Sequence, residues 1–121
     1  MNDMNELITS LFAGFTVGGQ SVPVKWLLYK GHGEPYVVWQ HVDVNMSYSG
    51  DDELLGYVDY YDFDVYAKGN YMAIIDELFQ LLKANGFMWQ PGRSSEDMYE
   101  VDTGYYHKAL CFAYLKQEEE E

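Results

Sequence analysis

The chain has 121 residues, of which 48% are hydrophobic and 17% aromatic, so one folded domain with a substantial core is expected and extensive disorder is not. Twenty acids against seven lysines and arginines give a formal net charge of −13, which excludes an electrostatic grip on nucleic acid or on anionic lipid. The single cysteine excludes an internal disulfide framework, and no apolar run approaches the roughly 20 residues that span a bilayer.

The first part of the chain predicts one helix and a pair of strands. Asn2 or Asp3 is placed to cap a helix whose apolar residues recur at helical spacing: Met4, Leu7, Ile8, Leu11, Phe12 and Phe15. Residues 21–29 and 36–41 are rich in β-branched and aromatic side chains. Because Gly31, Gly33 and Pro35 separate them, we interpret the two segments as a hairpin. The polar and acidic residues 42–53 predict a loop.

The second part predicts a long strand, a helix and a final strand. Residues 55–67 alternate, with an apolar face formed by Leu55, Tyr57, Tyr61, Phe63, Val65 and Ala67. An amphipathic helix ending at Gly86 follows, with its stripe at Tyr71, Ile74, Ile75, Leu78 and Leu82. Short extended segments are predicted at 87–89 and 98–101. Residues 105–115 form the last strand, whose small face, including Ala109, Cys111 and Ala113, is expected to lie under a helix.

This order of elements predicts a single α+β domain over residues 1–121. We expect a mainly antiparallel sheet of four to six strands with two helices packed on one face. The run Glu118–Glu121 indicates an acidic, disordered tail at residues 117–121. The first residues are acidic and lack the features of a secretory signal, so synthesis in a reducing cytoplasm is expected.

Residues able to carry chemistry are few. His41 with Asp43 would share a strand face, as would Asp62 with Asp64, but neither pair shows the split environments that acid/base catalysis requires. His32, His41 and His107 lack the spacing of a shared metal-ligand set. Asp51, Asp52 and Glu53 offer hard oxygen ligands without the spacing or central glycine of an EF-hand, and a solvated acidic loop is the simpler interpretation. We therefore predict no enzyme, no cofactor and no metal site.

The tyrosines are in surplus. Twelve exceed what a core needs, because each buried hydroxyl requires a partner. Tyrosine is enriched where proteins meet, and seven of the twelve fall on predicted strands or loop edges. The interface candidates are Tyr57, Tyr60, Tyr66, Tyr99, Tyr105, Tyr106 and Tyr114. Ordinary cross-strand pairing of aromatic rings within one sheet is the alternative explanation.

Three segments together resemble a known family. They are YVVWQ at 36–40, SYSGDDELLGYVDYYDFDVYAKGNYMAIIDELFQLLKANGF at 47–87 and DMYEVDTGYYHKALCFAY at 97–114. The succession is similar to the tail terminator proteins of long-tailed phages, also described as head–tail joining, tail completion or minor capsid proteins. Residues 1–35 share only the order of elements with that family, and none of the similar segments is a catalytic motif.

The resemblance implies a structural protein that forms a ring, usually a hexamer, on the end of the tail tube, stops tube polymerisation and joins tail to head. Its expected partners are copies of itself, the tail tube protein and the head connector, with no specific nucleic acid and no membrane. Its expected place is the tail or neck of a virion, after synthesis in the bacterial host cytoplasm from a prophage gene. The alternatives are a head-side connector or adaptor, a small acidic protein-binding module that mimics the charge of DNA, and an enzyme.

Overall fold

The protein is an α+β domain built on an antiparallel-rich sheet, which confirms the predicted fold class. A computed structural model describes residues 3–30, 35–48, 54–69 and 71–117. The helices are α1 (Asp3–Leu11) and α2 (Tyr71–Ala84), and a 3-10 turn spans Pro91–Arg93. The strands are β1 (Thr16–Val17), β2 (Gln20–Ser21), β3 (Val24–Trp26), β4 (Tyr36–Tyr48), β5 (Leu54–Ala67), β6 (Phe87–Trp89), β7 (Met98–Glu100) and β8 (Tyr105–Gln117).

The main sheet has the order β3-β4-β5-β8-β6, with β7 also paired to β8. All of its pairings are antiparallel except β3 with β4, which is parallel. The predicted hairpin between 21–29 and 36–41 is therefore wrong. Leu27 adopts a positive φ of 67° and ends β3, so the chain leaves the sheet and re-enters it in the same direction. β1 and β2 form a separate antiparallel ribbon that the sequence did not predict.

β4 is longer than its sequence indicates. The predicted loop at 42–53 is wrong as far as Tyr48, because residues up to that point pair with β5 and form ladder hydrogen bonds despite their polar side chains. Residues 49–53, which include the acids Asp51, Asp52 and Glu53, lie outside the described residues, as do residues 118–121 of the predicted tail. The prediction of a disordered tail is wrong at Gln117, which pairs with Gly56 as the last residue of β8.

The core lies between the sheet and the two helices, which pack on the same face. Phe12, directly after α1, lies 5.9 Å between ring centroids from Phe63 of β5. Phe79 of α2 lies 5.4 Å from Phe112 of β8. Ile74, Leu78 and Leu82 bury the predicted stripe of α2. We call this side of the sheet the helix face and the other side the open face.

The sides of β8 are reversed relative to the prediction. Leu110 and Phe112 point to the helix face, and the small side chains of Ala109, Cys111 and Ala113 point to the open face. The physical reason is that the helices pack on the large rings of the helix face. On the open face, Cys111 and Ala113 are also buried, and the segment 90–97 hydrogen-bonds to β8 beside Cys111.

Candidate functional site

The seven candidate tyrosines do not form one patch. Tyr60, Tyr66 and Tyr105 lie on the open face, while Tyr57, Tyr99, Tyr106 and Tyr114 lie on the helix face. Tyr114 packs against Phe87 of the core, with ring centroids 4.8 Å apart. Tyr99 and Tyr106 pair with each other across β7 and β8 and remain largely exposed. Any interface that these side chains serve must therefore involve more than one surface of the domain.

A column of four stacked rings crosses the open face. Tyr29 stacks on Tyr36 at 4.6 Å, Tyr36 on Tyr66 at 4.7 Å, and Tyr66 on His107 at 4.1 Å. The three strand members occupy one cross-strand row, since Tyr36 pairs with Tyr66 and Tyr66 with His107. Tyr105 meets two of these rings edge-on. Cross-strand pairing, the alternative explanation for the tyrosine surplus, accounts for this row.

His107 joins the column to two carboxylates. Its Nδ1 lies 3.6 Å from Glu100 Oε2, and its Nε2 lies 3.9 Å from Asp64 Oδ2, a separation too long for a direct hydrogen bond. Asp64 Oδ1 and His107 Nε2 are buried and have no hydrogen-bond partner in the part of the chain that the structure describes. Burial raises the pKa of Asp64, while the nearby His107 opposes that rise. Burial likewise raises the pKa of Tyr66 to about 12, so its phenol stays neutral.

Arg93 forms a second cluster on the open face, which we call the Arg93 clasp. Its guanidinium lies 3.9 Å from the ring centroid of Tyr60, and its Nη1 lies 3.3 Å from Asp43 Oδ2. Asp62 lies in the same region, and burial raises its pKa against the opposing hydrogen bond from the Cys111 thiol and the charge of Arg93. Burial also raises the pKa of Cys111 to about 11, so the thiol stays protonated and unreactive at neutral pH.

The segment that carries Arg93 replaces a strand along the edge of β8. The Gln90 N–H donates to Cys111 O at 2.8 Å, and the Ser95 N–H donates to Ala109 O at 2.8 Å. In the other direction, the Cys111 N–H donates to Ser94 Oγ and the Ala109 N–H donates to Ser95 Oγ. Two serine hydroxyls therefore satisfy β8 where no regular strand lies beside it, between β6 and β7.

The pair His41 and Asp43 is not a joint site. A β-bulge between them inserts Val42, so that His41 pairs with Tyr61 and Asp43 with Tyr60. His41 consequently lies on the helix face, 3.0 Å from Asp59 Oδ1, while Asp43 lies on the open face beside Arg93. The prediction of a shared face is wrong, because one extra residue reverses the alternation of every side chain beyond it.

Asp62 and Asp64 do share the open face, as their spacing predicts. Desolvation raises the pKa of both, and the charge of Asp62 raises that of Asp64 further. The two shifts have the same direction, unlike the divergent pair that acid/base catalysis uses. Within residues 3–30, 35–48, 54–69 and 71–117, no three His, Cys, Asp or Glu side chains are grouped closely enough to hold a metal ion.

The outer end of the β4–β5 hairpin is a third notable surface. Val44, Met46 and Tyr57 are exposed there on the helix face, with Met46 at 58% of its full exposure. Together with Asn45 they line an open groove of about 650 Å³. In the described part of the chain, no strand pairs with the outer edge of β4 beyond Trp39, because β3 is only three residues long.

Comparison with known proteins adds no assignment: no family model matches the chain, and no curated protein is significantly similar to it. Among the described residues, neither helix combines the length and apolar character needed to cross a membrane.

Two features of the structure were not predicted from the sequence. Arg93 is a single basic residue in a loop and belongs to no recognisable sequence motif. The positive φ at position 27 was not expected, because residues that commonly adopt it are glycine and asparagine, whereas Leu27 is a leucine.

Proposed function

We propose that the protein is a structural subunit of a long-tailed phage virion, a tail terminator that forms a ring on the end of the tail tube, ends tube polymerisation and joins tail to head. Its partners are copies of itself, in a hexamer, together with the tail tube protein and the head connector. The proposal assigns it to the neck of a virion encoded by a prophage and gives it no catalytic role. The observation that carries the proposal is the exposed apolar group Val44, Met46 and Tyr57 near the outer end of the β4–β5 hairpin, as the described residues show it.

The hairpin end has the composition of a contact surface. Val44, Met46 and Tyr57 present adjacent exposed apolar groups on the helix face. Single exposed apolar residues are ordinary, but a contiguous group at the end of a projecting hairpin is typical of a surface that a partner covers. The outer edge of β4 adds backbone donors and acceptors to the same region.

The edge also carries features that limit uncontrolled pairing. The bulge at Val42 interrupts the ladder, and the Val44 N–H is held by the carboxylate of Asp43 at 2.8 Å. Acidic side chains repel like copies, since each subunit carries a formal charge of −13. A subunit with these properties is expected to remain dispersed when free and to assemble on a template, such as the end of a tube.

The net negative charge makes ring assembly and binding to a basic protein, the alternative function, respond differently to salt. Repulsion between acidic copies is screened within about 8–10 Å at physiological salt, so added salt should strengthen self-association. An acidic module that binds a basic protein would instead bind more weakly as salt rises. We therefore expect sedimentation of the isolated protein to show larger species at higher ionic strength.

The decisive experiment uses tails assembled with and without the protein. Loss of a terminator gives overlong tubes in electron micrographs, whereas loss of a head-side connector leaves tails of normal length without heads. The variant Val44→Asp with Met46→Asp should unfold at the wild-type temperature and still give overlong tubes. Met72→Asp is the matched control, because Met72 is equally exposed but lies on α2. Normal tube length with the hairpin variant, or with the protein omitted, would contradict the proposal.

A further inference from the structure

A small cavity lies on the open face where the chain leaves β3. It has a volume of about 260 Å³, below the roughly 300–1,000 Å³ of typical small-molecule pockets, and is suited to one amino-acid side chain. Apolar, phenolic and oxygen-bearing groups line it, among them Leu27, Leu28, Tyr36, Tyr66, Gln40 and Asp64.

The apolar wall of the cavity is held in a strained conformation. Leu27 has a φ of 67°, and the Leu28 N–H donates to Trp26 O at 2.7 Å, which together define a γ-turn. A positive φ is costly for a leucine, and such conformations persist where surrounding structure enforces them, often beside binding sites. Leu27 and Leu28 are both more than half exposed, so their own burial does not explain the turn.

The polar side of the cavity carries a negative charge without a fixed cation. Asp64 forms no ion pair with lysine or arginine among the described residues, and its nearest base, His107, is 3.9 Å away and shared with Glu100. Asp64 Oδ1 is buried and has no hydrogen-bond partner among the described residues, whereas the Asp64 side chain as a whole keeps 26% of its exposure and lines the cavity. Gln40, which also lines the cavity, adds an amide oxygen that can accept a hydrogen bond.

We propose that this cavity binds the side chain of a lysine or arginine presented by a partner polypeptide. The aliphatic stem lies against Leu27 and Leu28, and the ammonium or guanidinium group donates to Asp64 and Gln40. Two observations favour a cationic occupant over a neutral one: the incompletely paired carboxylate of Asp64, and the net charge of −13, which draws basic segments to the surface. The site does not depend on ring assembly and is testable on the free subunit.

The test is a titration of the isotope-labelled protein with blocked lysine and blocked arginine, followed by amide chemical shifts in NMR spectra. Saturable shifts are expected at residues 27, 28, 64 and 66, and blocked norleucine, which keeps the stem without the charge, should give none. Asp64→Asn should raise the dissociation constant about tenfold or more, as loss of a charge-assisted hydrogen bond predicts. Asp62→Asn is the matched control on the same strand face and should leave binding unchanged.

Weaker binding by a variant can result from misfolding, so a second variant is designed to bind more tightly. Gln40 is exposed, so Gln40→Glu should fold normally and bind both ligands more tightly than wild type does. Absence of saturable shifts in the wild type, equal response to norleucine, or equal response of Asp64→Asn and Asp62→Asn would each overturn the proposal.

Discussion

The Arg93 clasp should govern the chemical reactivity of Cys111. The thiol is buried to 1% exposure, and the segment 90–97 that covers the adjacent edge of β8 is fastened by Arg93 to Asp43 and Tyr60. A reagent can therefore modify the Cys111 thiol only after the segment 90–97 opens. Cys111 is the only cysteine in the chain, so its modification reports this single opening event.

The magnitude follows from the contacts of Arg93. A cation–π contact at an exposed site contributes about 0.5–1 kcal/mol, and a solvent-exposed ion pair contributes about 0–1 kcal/mol. The lower part of the ion-pair range applies, because both partners in the Arg93–Asp43 pair are nearly half exposed. Arg93→Ala should thus make opening easier by about 1 kcal/mol, and modification of Cys111 should accelerate about fivefold.

The assay is the rate of Cys111 modification by an aromatic disulfide reagent under native conditions. Arg93→Lys keeps the charge beside Asp43 but loses the planar stack on Tyr60, so its rate should fall between those of the wild type and Arg93→Ala. Lys25→Ala removes an exposed cation from β3, at the opposite edge of the sheet, and should have no effect. Equal rates for the wild type and Arg93→Ala would refute the clasp, and rapid modification of the wild type would refute the burial of Cys111.

Two further substitutions test backbone strain and buried charge. Leu27→Gly should leave the free energy of unfolding within about 1 kcal/mol of wild type or raise it. The reason is that glycine relieves the positive φ, which is worth about 1–2 kcal/mol and opposes the entropic cost of glycine. Leu28→Gly lacks that relief and should be less stable than Leu27→Gly in denaturant titrations. Burial raises the pKa values of Asp62 and Asp64 in the folded state. Between about pH 3.8 and those raised values the folded state holds more protons than the unfolded chain, so stability falls as the pH rises through that window. Replacing both with Asn should therefore stabilise the protein relative to wild type at neutral pH, with a difference that shrinks toward pH 3. A difference that stays constant with pH, or one matched by the exposed control Asp76→Asn, would contradict this reasoning.

The sequence predicted the elements that have a long, regular period. The apolar stripe of α2 and the alternation of β5 extend over enough residues for the pattern to exceed chance, and both are confirmed. The shared face of Asp62 and Asp64 follows from the same period of two. Where the pattern is short, as in the three residues of β3, the pairing partner and its direction depend on the rest of the sheet and are not encoded locally.

The errors at the candidate site have a common physical origin. The bulge at Val42 exists only in relation to the register of β4 on β5, so the separation of His41 from Asp43 cannot be read from β4 alone. The reversal of β8 likewise depends on what covers each side, because its two faces are both apolar enough to be buried. The Arg93 clasp joins residues 50 positions apart, and no local spacing rule predicts such a contact.

The exposure of the outer end of the β4–β5 hairpin, among the described residues, follows from the different lengths of α2 and β4. At about 1.5 Å per residue, the 14-residue α2 is about 21 Å long, whereas the 13-residue β4 at about 3.3 Å per residue extends about 43 Å. A helix that packs on the sheet therefore covers only part of the length of the β4–β5 hairpin. Val44, Met46 and Tyr57 continue the helix-face alternation beyond the part of the sheet that the helices cover, so their exposure in the described part of the chain is a consequence of the fold. Contiguous exposed apolar groups of this kind are typical of a surface that a partner covers.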